Sequence, residues 1–183
     1  MELLPTIGPQ AKARLAGGFY VLNILTGGSA LFLHGTAGSV VLLLAALSYV
    51  AVTALFFDLF RPVHAGLALL AACFSLIGCA VSLWETLHQG PVGVSPLVFF
   101  GCYCLLIGYL IARSTFLPTI FGVLMAVGGL GWLTFLSPAL SKSLAPYNMA
   151  PGILGEAAFT AWLLIVGVNP RRWQEQRRTT SAA

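Results

Sequence analysis

The chain has 183 residues, 58% hydrophobic and 8% charged, with a formal net charge of +4. Soluble domains carry roughly 25% charged residues, and a mean hydropathy of +0.94 leaves too little polar surface for a water-soluble globule. The matching solvent is lipid. At about 20 apolar residues per crossing, the length allows about six spans with short connections and no separate soluble domain.

Six spans follow in chain order. The first runs from Leu15 to Leu33 and is longer than a signal-peptide core, so it is expected to stay as a helix. A reversal at His34–Gly38 leads to the second, Ser39–Phe60, which Arg61-Pro62 stops. The third covers Ala65–Leu87, and the Gly- and Pro-rich segment Gln89–Pro96 ends it. The fourth covers Leu97–Ala112. Pro118 opens the fifth, which reaches Phe135. The longest loop, Ser137–Pro151, precedes the sixth span, Gly152–Val168, which Asn169-Pro170 ends.

Backbone groups in lipid must bond within a helix or a closed barrel. Barrel strands alternate apolar and polar residues, and these runs are continuously apolar, which predicts an all-α bundle. All nine Lys and Arg residues except Lys142 fall on one side of that arrangement. The positive-inside rule then places both termini in the cytoplasm. The expected layout is a cytoplasmic segment (1–14), a six-helix transmembrane domain (15–168) and a basic cytoplasmic tail (169–183).

Small residues recur at helical spacing: Gly101, Cys104, Gly108 and Ala112 in span four, and Gly122, Ala126 and Gly129 in span five. Such faces let helices approach closely within one chain, or between copies in a homo-oligomer. Cys73, Cys79, Cys102 and Cys104 all lie in apolar runs without metal-site spacing and read as small apolar filler.

Polar groups at membrane depth are costly and point to function. Glu156 lies one turn into span six. Glu85 and His88 share a face at the end of span three, with Ser75, Cys79 and Ser82 upstream on a stripe expected to face inward. His34 ends span one on the same external side. Glu156, Glu85, His88 and His34 are therefore candidates for a ligand or proton site, or for a divalent metal, against the simpler reading of solvated helix ends. Asp58 and Arg61, three apart, suit a structural ion pair. Asn23, mid-span, suits a hydrogen bond to a neighbouring helix. The tail, with Trp173 among Arg171, Arg172, Arg177 and Arg178, suits anionic lipid headgroups. Nothing points to nucleic acid. Motifs of P-loop NTPases, serine hydrolases, zincins and dinucleotide enzymes are absent.

Several segments together resemble a bacterial family of small membrane proteins catalogued as domain of unknown function 4386. They are Arg14-Leu15-Ala16-Gly17, Leu59-Phe60-Arg61-Pro62-Val63, Phe99-Phe100-Gly101 with Gly108-Tyr109-Leu110, Ser114-Thr115-Phe116-Leu117-Pro118, Gly122-Val123-Leu124, Gly155-Glu156, and Trp162-Leu163-Leu164 with Gly167-Val168. The resemblance spans Arg14–Asn169 and implies a bacterial inner-membrane protein with a recurring Glu156, without a reaction or ligand. Where it leads one to expect a histidine in span four, this chain has Cys102-Tyr103-Cys104. The leading expectation is a non-enzymatic protein that binds a small or lipidic ligand, or assists a membrane assembly or transporter. The alternatives are an intramembrane enzyme built on Glu156, Glu85 and His88, and a self-sufficient channel or carrier.

Overall fold

The computed structural model describes residues 7–30, 32–88, 90 and 92–182. Leu31, Gln89, Pro91, Ala183 and residues 1–6 of the expected N-terminal segment lie outside this range. The described residues are all-helical: α1 (Pro9–Ser29), α2 (Gly35–Phe60), α3 (Ala65–His88), α4 (Pro96–Arg113), α5 (Thr119–Leu133) continued by a 3-10 turn (Thr134–Leu136), α6 (Pro138–Leu144), α7 (Ala150–Ile165) and α8 (Pro170–Ala182).

Four helical segments are long and apolar enough to cross a membrane alone: α2, α3, α4, and α5 with its 3-10 turn. This is consistent with a multi-pass membrane protein. Helix α7 has 16 residues, about 24 Å at 1.5 Å per residue, short of a hydrocarbon core about 30 Å thick. Helix α1 carries Lys12 and Arg14 in its first turns. Both still pack into the bundle. Each of α1 to α4 contacts the next, α5 contacts α7, and α7 returns to α1, so six helices close a ring in chain order.

Several boundaries depart from the sequence reading. Helix α1 starts at Pro9, so the expected cytoplasmic segment is helical from that residue on. The reversal before α2 is shorter, since Gly35, with φ +65°, already begins that helix. The loop after span five contains α6, with Ser137 capping its N-terminus. Helix α7 ends at Ile165 rather than Val168. Gly167 makes the turn at φ +76°, a conformation rare for residues with a Cβ. Asn169 then caps α8 rather than merely ending a span, accepting from the amides of Arg171 and Arg172 at 3.1 and 3.2 Å. The polar tail is thus a helix, bent by 104° from α7.

Helix α8 lies across the end of the ring and ties two of its turns together. The Trp173 indole donates to the Leu59 carbonyl at 2.8 Å, and Thr180 to that of Pro62 at 2.8 Å. The Thr115 amide donates to Gln176 at 3.0 Å. At the same end, Gln10 of α1 clasps the link after α7: its amide donates to the Val166 carbonyl at 2.8 Å and accepts from the Val168 amide at 2.9 Å.

The α4–α5 seam runs where the small residues predicted it. Gly108 lies on the Gly122 carbonyl, Gly122 on that of Gly108, and Gly101 and Gly129 on each other. This is packing within one chain.

Asp58 was expected to pair with Arg61. Instead it accepts from the Lys12 ammonium of α1 at 3.2 Å, and both residues are 1% exposed. The helical turn points Asp58 into the ring, whereas Arg61 caps α2 and stays half-buried. Between this pair and the middle of the ring the core is aromatic, with Phe56, Phe60 and Phe159 in mutual contact through Phe56.

Candidate functional site

The opposite half of the ring is hollow. A cavity of about 410 Å³ is walled by every ring helix. Asn23, Ile24, Gly27 and Gly28 come from α1, Leu42, Ala45, Ala46 and Tyr49 from α2, and Cys79 and Ser82 from α3. Leu97 and Phe100 of α4, Trp132 of α5, and Ile153 and Glu156 of α7, with Met149 just before it, complete the wall. The cavity extends from the level of Tyr49 and Glu156 toward the helix ends marked by Gly28, Leu97 and Met149. Most of its surface is apolar. An added Cβ at Gly27 or Gly28 would meet nothing within 4 Å, so the α1 wall is open there.

Glu156 is the acidic group of this wall. Its Oε1 accepts from the Trp132 indole at 3.0 Å and from the Cys104 thiol at 3.6 Å. Gly152, one turn before Glu156, makes the first bond possible. The indole of Trp132 lies flat against the Gly152 backbone, where a Cβ would collide with the ring. Tyr20, Tyr49 and Tyr103 are buried in this part of the ring; Tyr49 shares the cavity wall with Glu156, and the Tyr20 phenol is a further donor to its carboxylate. Tyr20 and Tyr49 share a hydrogen bond at 3.4 Å, and their rings meet edge to face with centroids 5.6 Å apart. Among the described residues, the buried Tyr103 hydroxyl has no hydrogen-bond partner.

The four external candidates do not gather around one centre. Glu85 accepts from the Val92 amide at 3.2 Å, tying the end of α3 to the following loop. His88 is exposed and stacks on Trp84 with ring centroids 3.9 Å apart. His34 is exposed at the head of α2. Among the described residues, no three His, Cys, Asp or Glu side chains are placed to hold one metal ion. Glu156 turns into the ring while the other three stay at its rim.

The inward stripe on α3 is present. Ser75 is buried and hydrogen-bonded to Thr53, and Cys79 and Ser82 line the cavity. Asn23 was expected to bond a neighbouring helix. Among the described residues its side chain makes no such bond; it lines the cavity. Cys104 is more than filler, because its thiol touches the Glu156 carboxylate. Trp132 and Tyr20 escaped the sequence reading, since aromatic residues are ordinary in spans and only ring closure brings them to Glu156.

The model of a family described as Domain of unknown function (DUF4386) matches residues 83–167. That segment contains Cys104, Trp132 and Glu156, and covers less of the chain than the segments from which the resemblance was drawn. An uncharacterized protein of Archaeoglobus fulgidus is 30% identical over 124 residues, covering 62% of this chain and 73% of the relative. No solved structure matches. The relative is archaeal, so membership does not by itself point to a bacterial membrane. On these matches, the chain belongs to the DUF4386 family.

Proposed function

We propose that this protein is a six-span membrane protein with both termini cytoplasmic, and that its cavity binds a small ligand with a largely apolar body. The cavity carries the reading: it draws on all six ring helices and offers about 410 Å³, within the range of ligand pockets, about 300–1,000 Å³. A few polar groups, Glu156, Asn23, Tyr49 and Ser82, stand in an apolar wall, the arrangement that orients a ligand while burying most of its surface. The topology is supported by the ring of six helices, by α8 meeting the start of α1 at one end, and by the distribution of Lys and Arg. In α1, Lys12 is neutralised by Asp58, which makes a crossing by that helix physically acceptable.

The test is native mass spectrometry of protein purified in mild detergent, wild type beside Ala46→Phe. Ala46 lines the cavity, and phenylalanine there fills part of it. The expected result is a stoichiometric organic adduct on the wild type that is depleted at least severalfold in the folded variant. Equal adducts on both proteins, or none on either, would refute the reading.

A further inference from the structure

We infer that the cavity prefers an organic cation with an apolar body, its positive head held by Glu156 among aromatic rings. This rests on the cavity being a ligand site. The hydrogen-bond donors that reach the Glu156 carboxylate are all neutral: the Trp132 indole and the Cys104 thiol on Oε1, with the Tyr20 phenol beside them. No Lys, Arg or His among those residues lies within ion-pair distance of it. The buried ion pair of this chain, Lys12 with Asp58, belongs to the opposite half of the ring. An acid in an apolar wall thus lacks a cationic partner, and burying its charge alone is costly enough that it keeps its proton until a positive group arrives. A positive ligand offsets that cost; an anionic one adds repulsion.

The rings point the same way. Tyr49, Phe100 and Trp132 share the cavity with Glu156, and the first two meet edge to face with centroids 4.8 Å apart. Aromatic faces attract organic cations, and most strongly where water is excluded. The rest of the wall, including Ile24, Leu42, Leu97 and Ile153, favours hydrocarbon. A free monocation fits this distribution better than a zwitterionic lipid headgroup. The lipid's phosphate would lie a few bonds from its ammonium and would be brought against Glu156.

The experiment titrates two probes of matched shape against protein in dodecyl maltoside, following tryptophan fluorescence. Benzyltrimethylammonium is the cation, and neopentylbenzene is its neutral carbon isostere. The Trp132→Phe variant identifies the signal that comes from the cavity. The expected result is saturable binding of the cation to the wild type, weakened about tenfold or more in Glu156→Gln. Neopentylbenzene binds both proteins alike. Phe100→Leu, which leaves the carboxylate in place, weakens the cation by about threefold with little effect on the isostere, and decides the matter if Glu156→Gln does not fold. If the isostere binds as tightly as the cation and no variant separates them, cation preference is overturned while the cavity stands as an apolar ligand site. If neither probe saturates on the wild type, both this inference and the ligand-site reading fall.

Discussion

Replacing Gly122 with alanine would place a methyl group where α4 and α5 are closest. The new Cβ would lie 2.6 Å from the Gly108 carbonyl oxygen and 3.0 Å from the Ala112 amide nitrogen. Both obstacles are backbone, so neither can rotate away, and the two helices must separate. Overpacking a well-packed site costs about 1–3 kcal/mol, and two backbone contacts argue for the upper half of that range. Alanine recovers up to about 1 kcal/mol through its better helix propensity. The net loss is about 1–2 kcal/mol, or roughly 2–8 °C in Tm for a chain of this length. Gly18→Ala is the matched control: it lies on the exposed face of α1 and its added Cβ meets nothing within 4 Å. That variant should hold or raise Tm. The assay is thermal unfolding in detergent, followed by circular dichroism at fixed protein and detergent concentrations. If Gly122→Ala melts with or above Gly18→Ala, the seam is not the tight contact described. Gly108→Ala should cost a similar amount, and the double variant less than the sum, because one helix separation relieves both clashes.

The Lys12–Asp58 pair provides a second test. Removing one partner, by Lys12→Met or Asp58→Leu, should destabilise the fold by about 3–5 kcal/mol, whereas the double variant should recover much of that loss; a double variant as unstable as the sum in denaturant titrations would show that the two do not act as a pair. For topology, Ser143→Cys, exposed in α6, should react with a membrane-impermeant maleimide on intact cells, while Thr179→Cys, exposed in α8, should react only after lysis. The reverse pattern would invert the proposed orientation.

Sequence alone locates the apolar helices well, because continuous apolar runs broken by Arg61-Pro62, by Arg113 and by the Gly- and Pro-rich loop leave few alternatives. The seam of Gly101, Gly108, Gly122 and Gly129 is also legible, since small residues at helical spacing have few other uses in lipid. The start of α1 is not. Lys12 marks a membrane boundary by local logic, and its partner Asp58, 46 positions away, is not visible to that logic. Helices α6 and α8 are missed for a related reason: neither has an apolar run, and α8 is positioned by Trp173, Gln176 and Thr180 docking on distant turns. Glu156 stands out as an acid within a span, but its surroundings do not. Cys104, Trp132 and Tyr20 come from three other helices, and the order of those helices around a ring is tertiary information.

The ring closes between its first and last members, which has a consequence for biosynthesis. The strand of chain bearing Glu156 is the last ring helix to emerge from the ribosome. On the proposed six-span reading, the gap between α1 and α5 admits lipid until α7 inserts, and the Trp132 indole and the Cys104 thiol lack the Glu156 acceptor until then. Insertion of α7 seals the gap and delivers the carboxylate in one event. A chain lacking everything from Ala150 on would therefore present an apolar slot with the Trp132 indole and the Cys104 thiol along it.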